Sequence, residues 1–490
     1  MPQALSASWP CFGIAAPDLA GTEPKQVRNF DAVTAQRNPV GADPDRCGPL
    51  CPPSISLFHL PPVASPESPP IIHGGRTLES MLHRKRLDRN AIGPLAGVRV
   101  LDLSRVLVGN ALTVQLGDFG ADVIKIEQPG DGDALRGLSD ADVPVYWKVL
   151  CRNKKSIVVD LKQPEGIALL RRLASWAHVL VENFKPGTLE QFGLAPDELH
   201  RLNKKLVIVR VSGWGGTGPN RDKLGFGTLI EAFSGFAAKS GFPDGPPLLP
   251  NLGLADLVCG LNGAIATLVA LREAERPDGE GQVIDLGILD AMAALLSPDA
   301  GAYASTGKVP QRVGNRGAVV APRNLYQTAD NQYLALSCST QSMMVKLANA
   351  MGRPDIMADP RFRTNVDRVQ HVDALDTMVA AFVASRTLAE NLVMFDSFKI
   401  TAGPVNDVSQ FMRDPHVIER EILVDIEDPD VGWLPMPQPP ARLSATPASI
   451  RSAAPRLGEH TREILSDLGC SQDQIQDLLR RGVVEAAAGP

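Results

Sequence analysis

Residues 252–271, LGLADLVCGLNGAIATLVAL, place one carboxylate, Asp256, near the start of a glycine- and alanine-rich apolar stretch. An acid there has two readings. At a helix N-terminus, Asp accepts hydrogen bonds from free backbone N–H groups and faces the positive end of the helix dipole. Alternatively, it is the group that does the chemistry. Gly253, Gly260 and Gly263 favour the second reading, because glycines inside a helix are costly unless something must approach closely. From the residues alone both readings stay open.

Other chemistries leave little trace. Glu127 ends an apolar strand where a ribose-binding acid would sit, but the preceding loop, SRVLVGNAL (104–112), holds one glycine. Close approach of backbone to a pyrophosphate needs the G-x-G-x-x-G glycines, which disfavours a nicotinamide cofactor. No phosphate-cradling G-x-x-x-x-G-K-[ST] loop, H-E-x-x-H zinc motif or G-x-S-x-G elbow occurs, and the eight histidines lack ligand spacing. Cys47 and Cys51 lie close together without a second pair to complete a metal site, so no metal is expected. Seven cysteines in 490 residues do not suggest a disulfide framework, and a reduced, cytoplasmic setting fits them.

A net charge of −6 gives no reason to expect nucleic acid as a partner. The basic clusters at Arg152, Lys154 and Lys155 and at Arg201, Lys204 and Lys205 read first as solvated faces. No run of 18 uninterrupted apolar residues appears, and no membrane span is expected.

The elements that must position Asp256 alternate. VRVLDLS (98–104) reads as a strand, LTVQLGDFGA as a helix and DVIKIE (122–127) as a strand, a βαβ unit with a right-handed crossover. SIVVDL, HVLVEN and LVIVRVSG continue as strands between the helices PEGIALLRRLASWA and PDELHRLN. Runs this continuously apolar are buried on both faces, which predicts a parallel, doubly wound α/β sheet. The helix carrying Asp256 should run to about Arg272, followed by a strand and a helix in GQVIDLGILDAMAALLS. The texture changes near residue 300, and DVGWLPMPQPPARLS is expected to pack as irregular chain. Order is expected to begin near Pro94. The first 70 residues hold 14 of the 41 prolines, so residues 1–93 read as a disordered extension, with Met81 as an alternative start.

In their order, the segments PLAGVRVLDLSRVLVG, GDFGADVIKIEQPGDGDALR, RNKKSIVVDLKQPEG, VENFKPGTLEQFG, GPPLLPNLGLADLVCGLNGA, AGPVND and PRLGEHTREIL resemble the class III coenzyme A transferases. That family, of the CaiB-BaiF type, includes formyl-CoA:oxalate transferases and the related α-methylacyl-CoA racemases. The resemblance implies a large Rossmann-like domain built from both chain ends (94–300 and 403–490) and a small domain (301–402), in an interlocked homodimer. It implies transfer of coenzyme A from an acyl-CoA to a free carboxylic acid, with no metal or cofactor beyond coenzyme A as substrate.

The aspartate of the family's ADL-type segment is the nucleophile and matches Asp256. The resemblance assigns coenzyme A contacts to Leu107, Val108, Gln128, Val159, Asp160, Leu161, Lys162, Asn183, Phe184, Lys185 and Gln191. Where Gln128 and Gln191 stand, the oxalate-specific members carry arginines, so Lys154, Lys155 or Lys185 would have to compensate. Phe226 stands where the racemases need a proton-transferring histidine, and Gly227 replaces the acid beside it. Both are expected near the acyl group or acceptor, with Gly314 and Gly317 in a lid loop. Arg316 or Arg323 is the candidate for holding the distal carboxylate of a dicarboxylate acceptor. The alternatives are an acyl-CoA racemase or isomerase, and a coenzyme A-binding protein without catalysis in which Asp256 only caps its helix.

Overall fold

Seven strands form the sheet that carries the site: β1 (Arg99–Asp102), β2 (Asp122–Glu127), β3 (Lys154–Val159), β4 (Val179–Glu182), β5 (Val207–Ser212), β6 (Val283–Gly287) and β7 (Val484–Glu485). The computed structural model describes residues 81–138 and 143–487. Within the sheet the order is β7-β3-β2-β1-β4-β5-β6. Strands β1 to β6 run parallel, and β7 pairs antiparallel with β3, Val484 opposite Val159. The last residues of the described chain therefore complete the sheet begun by the first βαβ unit.

Side chains alternate across a strand, so each strand feeds two cores. Leu101, Ile124, Ile157, Leu180 and Ile208 face the helices Pro164–Trp176, Pro196–Leu202 and Thr461–Asp467. Val100, Val123, Val179, Val207 and Val209 face the other side, toward helices α1 (Val108–Asp118), α3 (Leu254–Ala274) and α4 (Ile288–Leu295). A further short helix on that side, α2 (Gly227–Phe233), inserts Ile230 into the same core.

The glycines of α3 explain how it meets α1. A Cβ at Gly260 would lie 2.9 Å from Ala111 Cβ, and one at Gly263 would lie 2.5 Å from Leu112 Cδ1. Each glycine costs about 1 kcal/mol of helix propensity relative to Ala, and close backbone packing offsets it. With 21 residues and a mean hydropathy of 1.8, α3 has the length and composition to cross a membrane, which counting uninterrupted runs had not indicated. One side of it, including Ala255, Cys259, Gly263 and Ala270, is buried within the α/β core. Its other side exposes Leu261, Ile265, Leu268 and Val269.

Beyond α4, the strands Arg323–Gln327, Tyr333–Ser337 and Ala402–Pro404 form an antiparallel sheet with a separate core around Leu334, Met344, Phe362 and Phe395. Two expectations change in the remaining sheet. Order begins upstream of Pro94: Leu82 is buried, and Arg84–Lys85 pairs in parallel with Asp425 and Ile426. The proline-rich run expected to be irregular contains a strand, Gly432–Pro437, antiparallel to Leu423–Asp428. Pro435 and Pro437 lie opposite Asp425 and Leu423. The Asp425 N–H points the other way, to His83 O, so these register positions exchange no ladder bonds. Proline is tolerated at such positions on an edge strand. The expected extension falls, over residues 1–80, outside the described residues, as do Cys47 and Cys51.

Candidate active site

The loops that leave the carboxyl ends of β1 to β5 converge on a cavity of about 770 Å³. It opens where the strand order reverses between β1 and β4, the crevice in which open α/β sheets bind ligands. Leu107, Val108, Gln128, Val159, Asp160, Leu161, Lys162, Asn183, Phe184, Lys185, Phe226 and Asp256 all line it. Residues scattered over 150 positions thus share one wall: most follow the carboxyl end of a parallel strand, and Asp256 is brought in by the first turn of α3.

Three expected residues lie elsewhere. Gln191 is exposed at the end of the short helix Thr188–Gln191 and does not line the cavity. Gly314 and Gly317 belong to a loop beside the antiparallel sheet, where Gly314 N–H donates to Gly241 O at 2.8 Å. Within one chain that loop does not cover Asp256.

Beneath the first loop lies a buried charge network. Lys125 Nζ sits 3.3 Å from Asp102 Oδ1 and 3.0 Å from Asp133 Oδ2, and Lys154 Nζ sits 3.0 Å from Asp102 Oδ2. Against burial, which pushes it up, the two lysines hold the Asp102 carboxyl far below the usual range. Two cations and two anions compensate each other, as buried charges must. The network also fixes the backbone. Val106 adopts φ 63°, a conformation β-branched residues avoid, and Asp133 Oδ1 accepts its N–H at 2.9 Å. Asn183 clamps the neighbouring residue, its Oδ1 accepting Arg105 N–H at 2.8 Å and its Nδ2 donating to Arg105 O at 2.9 Å. The Asn183 amide is therefore committed to the loop.

Of the lysines expected to supply positive charge, Lys154 belongs to that network and Lys155 pairs with Glu463 at 2.9 Å. Lys185 and Lys162 are exposed at the cavity. Arg105 joins them, a residue that the sequence reading passed over, with its guanidinium 5.4 Å above the Phe184 ring. Among the described residues, none of these three cations makes an ion pair. Their common position depends on the fold, and no local spacing marks it. Arg316 is already held by Asp373 and Asp376, each at 2.7 Å, so its expected role with a distal carboxylate is taken. Glu127 is equally committed, accepting from Arg136 at 2.7 Å and from Ser156 Oγ at 2.6 Å.

Asp256 occupies the third position of α3, half-buried at the cavity floor, and its side chain does not cap the helix. The acceptor at this end is Glu231 of α2, whose Oε1 takes the Ala255 N–H at 3.1 Å. No described residue donates a hydrogen bond to the Asp256 carboxylate. Burial, and then the negative charge of Glu231, push its pKa up to about 6. Cys259, one turn further on, is pushed up to about 12 by burial and is no competing nucleophile. The backbone of Gly227 lies against the carboxylate: a Cβ there would be 2.7 Å from Asp256 Oδ2. Phe226, immediately before it, is 71% exposed and faces the cavity.

Comparison with known proteins places the chain in a family. A family model described as CoA-transferase family III matches residues 95–461. The chain is 41% identical over 395 residues to the succinyl-CoA–D-citramalate CoA-transferase of Chloroflexus aurantiacus, covering 80% of this chain and 98% of that one. It is 36% identical over 384 residues to the succinate–glutarate CoA-transferase of Agrobacterium fabrum, covering 76% and 96%. A solved structure, a CAIB/BAIF family protein from Brucella suis, superposes with a TM-score of 0.68 at 32% identity, covering 77% of this chain and all of that one.

Proposed function

The chain belongs to CoA-transferase family III, and from that premise we propose that Asp256 is the nucleophile on which coenzyme A is carried. The protein is a CoA transferase acting between an acyl-CoA donor and a carboxylic acid acceptor. One observation carries the assignment. Among the described residues none donates a hydrogen bond to the Asp256 carboxylate, which faces the cavity, while Glu231 satisfies the helix end in its place.

The reaction then needs no net proton transfer. An Asp256 oxygen attacks the donor thioester carbon, the C–S bond breaks, and a mixed anhydride and CoA thiolate result. The thiolate attacks the aspartyl carbonyl, which expels the donor's acid and leaves an aspartyl-CoA thioester. The acceptor carboxylate attacks that thioester and again releases thiolate, which takes the acceptor acyl group from the second anhydride and frees Asp256. The aspartyl-CoA thioester has the same bond type as the donor and product thioesters, so the overall exchange is nearly balanced. Arg105, Lys162 and Lys185 are suited to the phosphates of coenzyme A, and the loop from Leu107 to Val108 to its chain.

Succinyl-CoA is the donor and a short dicarboxylic acid the acceptor in this reading, because the relatives' names pair succinyl-CoA or succinate with citramalate, malate and glutarate. Racemisation is disfavoured because Phe226 cannot move a proton. The parallel order 3-2-1-4-5-6 supports a Rossmann-like large domain completed by the C-terminal segment. The exposed apolar side of α3, and a following helix Ser297–Thr306 with no buried residue, support a homodimer that covers them.

The test is Asp256→Asn. Transfer from succinyl-CoA should vanish while coenzyme A binding, measured by calorimetry, persists. Retained transfer would return Asp256 to a structural role.

A further inference from the structure

Glu231 stands out among the acidic side chains because it is 2% exposed, lies outside the cavity lining and yet touches the helix end that carries Asp256. Gly253 precedes helix α3 and offers it no side-chain cap. Its second residue, Ala255, is buried, and the N–H of Ala255 finds its partner 24 residues back in the chain, at Glu231 Oε1. Helix α2, which holds Glu231, starts at Gly227, whose backbone bounds the Asp256 carboxylate. One short helix therefore touches the nucleophile's turn twice, once through a hydrogen bond and once through a glycine contact.

We propose that Glu231 is a positioning residue for the transfer reaction: its buried carboxylate ties α2 to the first turn of α3, holding the Asp256 carboxylate against Gly227 and toward the cavity. It touches no substrate. This inference rests on the reading of Asp256 as the nucleophile and adds the group that aims it.

The arrangement has a second consequence. A second negative charge near the nucleophile opposes its ionisation, and a more basic carboxylate is a stronger nucleophile toward a thioester. The surroundings of that turn isolate the effect. From α2 the charged neighbour is Glu231; Leu107 and, from α1, Val108 and Ala111 pack there and do not titrate; α4 contributes Asp290, which acts on Cys259. Asp256 itself is pushed up first by burial and then by Glu231.

Two substitutions separate the hydrogen bond from the charge. In Glu231→Gln the amide oxygen still accepts the Ala255 N–H, but the negative charge is gone. In Glu231→Leu both are gone. Steady-state transfer from succinyl-CoA should be followed from pH 4.5 to 8.5, with thermal unfolding and calorimetric coenzyme A binding to confirm folded protein. Glu231→Gln should keep kcat within about tenfold of the parent and move the acid limb of its pH profile to lower pH. Glu231→Leu should lose about a hundredfold in kcat, as misplacement of a reacting group does, with KM little changed. An unmoved acid limb in Glu231→Gln, or a Glu231→Leu enzyme as active as Glu231→Gln, overturns the proposal. Asp256→Asn, assayed alongside, keeps the two readings apart. If it is inactive while both Glu231 variants behave as the parent, only the role of Glu231 fails; if it still transfers, the nucleophile assignment itself fails.

Discussion

Gly227 and Asp256 are in contact through backbone and carboxylate: a Cβ added to Gly227 would lie 2.7 Å from Asp256 Oδ2 and 3.1 Å from its Cγ. No real Cβ approaches an oxygen so closely, so any side chain at 227 must push the carboxylate aside. Glycine at 227 leaves the Asp256 carboxylate the space it occupies here.

Gly227→Ala is accordingly expected to lower kcat by about a hundredfold, because displacement of a reacting group by about an ångström costs that much. The KM for the acyl-CoA should stay within about threefold, since the coenzyme contacts lie on other loops. Initial rates over a range of succinyl-CoA concentrations decide it, and an unchanged kcat would show that the contact does not matter.

The pH dependence follows from the raised pKa of Asp256. Transfer should rise through about pH 6 and level off above it, since the nucleophile must be ionised. Stability runs the other way. A carboxyl whose folded pKa lies above its unfolded value stabilises the fold when protonated, and that contribution is lost as pH rises through about 6. Asp256→Asn should therefore be more stable than the parent at pH 8 by on the order of 2 kcal/mol, and show no advantage at pH 3.5. Denaturant unfolding at the two pH values measures it, and an equal advantage at both would rule out ionisation as the cause.

At the cavity mouth, Arg105→Ala should raise the KM for acyl-CoA by about tenfold, the loss of one charge-assisted hydrogen bond of about 1.5 kcal/mol. Arg105→Lys should restore only part of this, because lysine neither forks nor stacks on Phe184 as a guanidinium does. Gln191→Ala should change nothing, given its exposed place away from the cavity. Equal effects at Arg105 and Gln191 would contradict the site as drawn.

The parallel sheet was legible because β1 to β5 are largely buried and rich in apolar residues, whereas the edge strand β6 leaves Val283 exposed. The cavity wall was legible by resemblance, and the fold explains it: most of the lining residues follow a strand's carboxyl end, and Asp256 opens α3 beside them. What escaped the sequence was long-range. Glu231 caps α3 from another helix, so Asp256 looked like the cap. Lys154 looked free in RNKKS, yet the topology buries it against Asp102. The strand Gly432–Pro437 was hidden by prolines whose missing N–H groups face away from the ladder. Gln191, Gly314 and Gly317 matched family positions, but matching positions do not report which loops meet within one chain.

The central claim, that coenzyme A passes through Asp256, is tested most directly by intact-protein mass spectrometry. The protein would be mixed with succinyl-CoA in the absence of acceptor, quenched, and mapped by peptide digestion beside Asp256→Asn. A coenzyme A-sized mass increase on the peptide containing Asp256, absent from the variant and discharged by an added dicarboxylic acid, is the predicted result. An adduct on any other residue, or transfer that continues undiminished in Asp256→Asn, would contradict it.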